Sequence, residues 1–152
     1  MRLRCKTVVL EYVYMDTNLT LPKKAALDVL RKKYYLRLIL LHGSHVGTLV
    51  HPESDIDIAV LRDQKKPAFR YGDLVSDLIE SFDSDRIDLV DLTHADPLLL
   101  FAATNNCQLL SGTEDDLNAL QLLAFHRYND YCEYLKAERN FIRKKLQNYV
   151  TA

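Results

Sequence analysis

Two short motifs carry residues whose types and spacing could bind phosphate and a metal ion. The first is Gly43-Ser44, and the second, Asp55-Ile56-Asp57, begins after ten intervening residues. Strand alternation places Asp55 and Asp57 on one face and Ile56 on the other. Neighbouring carboxylates on one strand repel each other, and a magnesium ion held by both removes that penalty. The second motif therefore indicates a metal site, the alternative being a solvent-facing edge strand.

The Gly-Ser turn offers a place for phosphate beside this pair. Residues 36–41 form an apolar run short enough for a buried strand. Gly43 then permits a sharp turn and a close approach of the backbone to a ligand. Ser44 supplies a hydroxyl, and free backbone N–H groups at the start of a short helix attract phosphate. Alone, the pair is also typical of an ordinary turn.

A third carboxylate comes from the segment 86–92, which has the pattern of another short strand. Asp88 and Asp91 differ in parity, so only one of them can join Asp55 and Asp57. The pattern favours Asp88, because it lies mid-strand between apolar residues and is costly to bury without a cation or a hydrogen-bond partner. Asp91 remains the alternative, although its place near the strand end also suits a turn or cap residue.

Together, Gly43-Ser44, the ten-residue spacer, Asp55-x-Asp57 and the later acid resemble the nucleotidyltransferase fold of the DNA polymerase beta superfamily. The short chain is similar to the minimal nucleotidyltransferases, in particular the MntA-type antitoxins of HEPN/MNT toxin–antitoxin systems. The resemblance runs from about Met15 through the C-terminal helix. It implies a single nucleotidyltransferase domain over residues 15–152.

The resemblance also implies a role for each residue of the two motifs. Gly43 and Ser44 would bind the phosphates of ATP. Asp55 and Asp57 would hold two Mg²⁺ ions. Asp88 would be the third carboxylate, a further metal ligand placed to accept the proton of the attacking hydroxyl.

The turn departs from the family pattern. Family members often read Gly-Ser-Arg-Ala-Arg-Gly, whereas residues 43–48 read Gly-Ser-His-Val-Gly-Thr. His45 and Gly47 thus stand where arginines are common, and a neutral histidine holds phosphate less firmly than a forked, permanently charged arginine. Three nearby cations could supply the missing charge, although such a run is more typical of a solvated loop: Lys65, Lys66 and Arg70.

By the same resemblance, the protein would be a protein adenylyltransferase that moves AMP from ATP to a tyrosine hydroxyl of a partner HEPN RNase toxin and so neutralises it. Two alternatives remain open. One is a transferase acting on a small hydroxylated molecule such as an aminoglycoside. The other is a non-catalytic antitoxin that acts by occlusion, in which Ser44, Asp55 or Asp57 would be expected to be lost, whereas all three are present.

Composition limits the remaining classes. The 152 residues suffice for one domain. A net charge of −1 gives no basic field for nucleic acid, and no apolar run approaches the ~20 residues that span a membrane. Three cysteines without C-x-x-C spacing predict a reducing, cytoplasmic setting. Residues 1–14 are expected to be an extension of uncertain role, or an extra edge strand, and Met15 is an alternative start.

Apolar periodicity predicts alternating helices and strands. Together they predict an α/β (α+β) fold with a small mixed sheet, helices mainly on one face and a long C-terminal helix. The helices are expected at about 20–34, with Thr20 and Pro22 at its start, 72–82, 96–106 and 114–148, and the strands at 36–41, 55–61, 86–92 and 107–110.

The last helix is too long for a small domain. At 1.5 Å per residue it would span ~50 Å, so part of it should project and expose aromatic side chains. Such side chains are enriched at protein interfaces, and this helix is therefore the predicted docking surface for the toxin. The alternative is that the aromatic residues belong to the core: Phe125, Tyr128, Tyr131, Tyr134 and Phe141.

Overall fold

Helices and strands alternate along the chain, as the sequence pattern predicted. The computed structural model describes residues 21–46 and 54–150, with the side chains of 148–150 excepted. The predicted extension over residues 1–14 therefore lies outside the described residues. The described residues contain four helices and four strands, with short 3-10 turns at Gly43–Val46 and Leu92–His94: α1 (Lys24–Lys33), β1 (Leu36–His42), β2 (Ile56–Arg62), α2 (Tyr71–Phe82), β3 (Ile87–Asp91), α3 (Pro97–Asn105), β4 (Gln108–Ser111) and α4 (Glu114–Val150).

The strands form one mixed sheet in the order β3-β2-β1-β4. The first strand runs antiparallel to both of its neighbours, β2 and β4. The second strand pairs with β3 in parallel. The predicted α/β fold with a small mixed sheet and a long C-terminal helix is thereby confirmed.

Helices cover both faces of the sheet, two on each. On one face, α1 and α2 bury Leu27 and Leu78 against Ile39 and other sheet residues. On the opposite face, α3 and α4 bury Leu100 and Leu120 against the other parity of the same strands. The expectation of helices mainly on one face was wrong in this respect. Because β1 is apolar at successive positions, both of its faces must be covered.

A capping residue marks the start of α3, whereas α1 begins later than predicted. Asp96 accepts hydrogen bonds from the backbone N–H groups of Leu98 (2.9 Å) and Leu99 (3.1 Å), and Pro97 takes the first helical position of α3. The first helix begins at Lys24 rather than at Pro22. The predicted cap of that helix, Thr20, lies outside the described residues.

The terminal helix is a single element of 37 residues, or ~55 Å at 1.5 Å per residue. Its first turns bury Leu117, Leu120 and Ala124 against the domain. Farther along, Tyr128 stacks on Phe101 with the ring centroids 4.3 Å apart. Several large apolar side chains of this helix are exposed, as predicted for the aromatic residues among them: Leu122, Leu123, Phe125, Tyr134, Phe141, Ile142 and Leu146.

No helix within residues 21–46 and 54–150 combines the length and the apolar character that crossing a membrane requires. Cys107 and Cys132 are both free thiols.

Candidate active site

Three polar residues form a row across adjacent strands at one end of the sheet. His42 is the register partner of Asp57, and Asp57 is the register partner of Asp88. Their parity places all three on the same face as Ala59 and Val90, which pack towards α3 and α4. The row lies where β1 ends and where β2 and β3 begin. The sheet register therefore puts the side chains of Asp57 and Asp88 next to each other.

Asp55 lies immediately before β2 and shares the parity of Asp57. Two residues of extended chain separate them by ~6.6 Å at ~3.3 Å per residue. Asp55 and Asp88 are exposed and Asp57 is half-buried. Among residues 21–46 and 54–150, no three acidic, histidine or cysteine side chains already converge as metal ligands do. The backbone thus brings the three carboxylates to one end of the sheet, although their side chains do not converge on a single metal position.

Asp91 does not join the three carboxylates and bonds instead to Arg62 and Thr93. Its carboxylate accepts a hydrogen bond from Arg62 Nε at 2.6 Å and another from the backbone N–H of Thr93 at 2.9 Å. The second bond caps the 3-10 turn at Leu92–His94. Its register partner in β2 is Val60, three positions along from Asp57. Asp91 is accordingly a cap and ion-pair residue on the other face of the strand.

Gly43 brings the turn into direct contact with Asp57. Its φ is +70°, in the left-handed region that favours glycine. A Cβ at this position would lie 2.1 Å from Asp57 Oδ2 and 2.8 Å from Asp57 Cγ. The backbone at Gly43 therefore approaches the Asp57 carboxylate closely, and the predicted approach to a ligand stays a prediction. Gly43 and Ser44 are both exposed, so a ligand can reach the turn and the carboxylate together.

His42 was missed as a site residue. The predicted strand ended at residue 41, whereas His42 is the last residue of β1 and lies beside Asp57. Burial lowers the pKa of His42, and the negative charges of Asp57 and Asp88 oppose that shift. The parity shared with Leu38 and Leu40 could have revealed this placement, had the end of the strand been known.

Two of the three cations considered as substitutes for the turn arginines lie away from the carboxylates. Lys65 and Lys66 follow the Arg62 end of β2, which is about five residues, or ~17 Å, from Asp57. The ammonium group of Lys66 lies over the Tyr35 ring, 5.8 Å from its centroid. These two lysines form an exposed loop, as the pattern of a solvated charge run favoured.

Comparison with known sequences finds a matching protein family and two similar proteins. Residues 24–116 match the family described as polymerase beta nucleotidyltransferases. The chain is 35% identical over 107 residues to the protein adenylyltransferase MntA of Shewanella oneidensis, an overlap covering 70% of this chain and 73% of that protein. It is 28% identical over 110 residues to the MntA of Aphanizomenon flos-aquae, covering 65% of this chain and 73% of the relative.

Solved structures give the same result. A crystal structure of a toxin–antitoxin with AMP-PNP matches with a TM-score of 0.61 and 29% identity, over 82% of this chain and 98% of that chain. The MNT antitoxin bound to tri-AMPylated Shewanella oneidensis HEPN toxin matches with a TM-score of 0.56 and 28% identity, over 82% and 95%. The family match spans every residue from His42 to Asp91, so it includes the whole row and the turn.

Proposed function

The chain belongs to the polymerase beta nucleotidyltransferase family, and from that premise we propose that it is an antitoxin that transfers AMP from ATP to a tyrosine hydroxyl of a HEPN toxin. Its relatives are named protein adenylyltransferases, and one structural neighbour holds an AMPylated HEPN toxin. The observation that carries the proposal is the register of Asp57 beside Asp88, with Gly43 against the Asp57 carboxylate.

The donor set suits magnesium. Asp57 and Asp88 are adjacent anions, and no salt bridge within residues 21–46 and 54–150 neutralises either of them. Carboxylate oxygens are the hard ligands that Mg²⁺ prefers, and repulsion between paired carboxylates favours a cation between them. Asp55, Asp57 and Asp88 would hold two ions. When bound, the ions neutralise charge on the transferring group and lower the pKa of the attacking hydroxyl.

The protein's own residues position the reactants. The exposed Ser44 hydroxyl and the backbone at Gly43 hold the triphosphate of ATP. Since Gly43 touches Asp57, phosphate bound at the turn lies beside the carboxylates. Asp88, which is exposed at the edge of the row, takes the proton of the tyrosine hydroxyl. The tyrosine oxygen then bonds to the α-phosphorus, the bond to the bridging oxygen breaks, and pyrophosphate leaves.

The terminal helix supplies the surface on which the toxin docks, which makes the active species a hetero-oligomer. Tyr134 and Phe141 are each 62% exposed and Leu146 is 59% exposed, although all three are large apolar side chains. Apolar and aromatic surface of this kind is typical of protein interfaces. A toxin bound there brings its own tyrosine to a site that one small domain leaves open. Both proposed substrates, ATP and an RNase toxin, occur in the cytoplasm, which supports the predicted cytoplasmic location.

The test compares two labelled forms of ATP. The purified chain is incubated with Mg²⁺, its HEPN partner and ATP labelled at either the α- or the γ-phosphate. Label from the α-phosphate should appear on a toxin tyrosine, and label from the γ-phosphate should not. Label from the γ-phosphate would indicate a kinase. Tight binding that inhibits the toxin without any label would indicate occlusion, and label only on an added aminoglycoside would indicate a small-molecule transferase.

A further inference from the structure

Two imidazole rings flank the Gly-Ser turn, and each buries a nitrogen without a hydrogen-bond partner. Among the side chains of the described residues, only His42 Nε2 and His45 Nδ1 are buried nitrogen or oxygen atoms in this condition. His42 belongs to the row already described. His45 lies one residue after Ser44, in the 3-10 turn Gly43–Val46.

The other ring nitrogen of His45 makes a bond that joins two parts of the site. His45 Nε2 lies 3.2 Å from the backbone carbonyl oxygen of Ser54. A carbonyl only accepts, so Nε2 carries the hydrogen and donates it. In the neutral ring, Nδ1 then bears a lone pair, and that atom has no partner. The ring is therefore anchored by one hydrogen bond.

This hydrogen bond joins the two motifs directly. It connects the turn that carries Gly43 and Ser44 to Ser54, the residue directly before Asp55. The pairing of His42 with Asp57 already brings the end of β1 beside β2, and the bond adds a second connection at Ser54, just before β2 begins. It therefore holds Asp55 near the turn where phosphate is proposed to bind.

From this geometry we infer that His45 is a positioning residue for nucleotidyl transfer, which ties Ser54, and with it Asp55, to the Gly43-Ser44 turn. The inference rests on the proposed function, because Asp55 is assigned there as a metal ligand. His45 acts differently from an arginine at the same position. A guanidinium would offer charge to phosphate, whereas this imidazole donates to the protein's own backbone and acts through Asp55.

Two amide variants distinguish the effect of the hydrogen bond from His45 to Ser54, here called the tether, from the effect of the imidazole ring itself. The side-chain nitrogen of Gln in His45→Gln reaches about as far as imidazole Nε2 and can donate to the Ser54 carbonyl. The shorter Asn in His45→Asn cannot reach it. Misplacement of a catalytic group by ~1 Å costs up to ~100-fold in rate. His45→Asn should therefore lower kcat by about 10- to 100-fold and raise the Mg²⁺ concentration needed for half-maximal transfer, while His45→Gln stays within about threefold of the parent.

The measurements use the full chain with its toxin, over a range of Mg²⁺ at saturating ATP, and thermal unfolding should show that both variants are folded. Equal loss in both variants, or no loss in His45→Asn, would overturn the tether. A fluorescent AMP-PNP analogue gives a second readout, because its binding in Mg²⁺ titrations should weaken in His45→Asn only. That readout needs no turnover, so a parent protein without transfer activity would contradict the proposed function and still leave the tether testable.

Discussion

At the scale of single residues, Gly43 places the Gly43-Ser44 turn against the Asp57 carboxylate. Its positive φ and its contact with Asp57 both require the absence of a Cβ. In Gly43→Ala the new methyl group would have to push aside the Asp57 carboxylate, which is the free end of a side chain. We expect AMP transfer to fall at least about 100-fold, with a left-handed alanine adding about 1–2 kcal/mol of destabilisation. Transfer rates and urea unfolding measure the two effects separately.

Ser44→Ala is the matched comparison, because the same turn then keeps its backbone. It should raise the KM for ATP while leaving the free energy of unfolding unchanged within about 0.5 kcal/mol. Full activity in Gly43→Ala would contradict the contact between the turn and the carboxylate.

Residue patterns predicted the positions of the carboxylates but not their surroundings. Period-two alternation showed only that one of Asp88 and Asp91 can share a face with Asp57, and Asp88 was favoured because it lies mid-strand between apolar residues. The register does place Asp88 beside Asp57, although its side chain is exposed rather than buried. His42 was missed because the end of β1 depends on pairing with β2, which is a long-range contact. The bond from His45 to Ser54 was also inaccessible, because no local pattern specifies a partner nine residues away.

At the scale of elements, one acidic residue joins α1 to α2. Asp77 accepts hydrogen bonds from Lys33 Nζ at 2.5 Å and from the buried Tyr34 hydroxyl at 2.6 Å. The bond from Lys33, followed by that from Tyr34, lowers the pKa of Asp77 below its ordinary 3.8. The charged carboxylate therefore stabilises the fold above pH 3.8, and this stabilisation is lost as the pH falls through the lowered pKa.

Asp77→Asn should cost about 1 kcal/mol at pH 7, a figure kept small because Lys33 is largely exposed. The difference from the parent should shrink as the pH falls from 3.8 through the lowered pKa, because the carboxylate of the unfolded chain is protonated first and that of the native state follows. Urea unfolding at a series of pH values measures this. Glu80→Gln, an exposed change on the same helix, is the control and should alter little. A difference that stays constant down to pH 2 would refute the linkage.

Element boundaries were predictable where a local signal exists. The start of α3 follows from Asp96 and Pro97, and the length of α4 follows from the absence of Gly and Pro. The distribution of helices over both faces of the sheet did not follow from alternation along the chain. It depends on which strand is central, and β1 became central by pairing with β4, a strand more than sixty residues later.

At the scale of the whole molecule, the protein combines a sheet domain with a helix that runs beyond it. Residues 136–147 of α4 are exposed at every position. Deleting residues 136–152 should therefore leave the free energy of unfolding within about 1 kcal/mol of the parent, because the deleted side chains that the structure describes, at 136–147, are all exposed. Nucleotide binding should persist, whereas AMP transfer to the toxin and co-elution with it should be lost.

Phe141→Ser with Leu146→Ser in the full-length chain is the matched variant, because it removes apolar surface and keeps the helix. It should weaken toxin binding, as the deletion does. Undiminished transfer after the deletion would place the docking surface elsewhere on the domain.

We propose that nucleotidyl transfer takes place at Asp55, Asp57 and Asp88. The initial rate of AMP transfer from α-labelled ATP to the HEPN partner, measured in Asp57→Asn, tests this assignment. The substitution keeps the size of the side chain and removes its charge. Asp85→Asn, an exposed change three residues before Asp88, is the matched control. The rate should fall by about 10²- to 10³-fold in Asp57→Asn, with unchanged far-UV circular dichroism, and should stay at the parent level in Asp85→Asn. Transfer by Asp57→Asn at the parent rate would contradict the account.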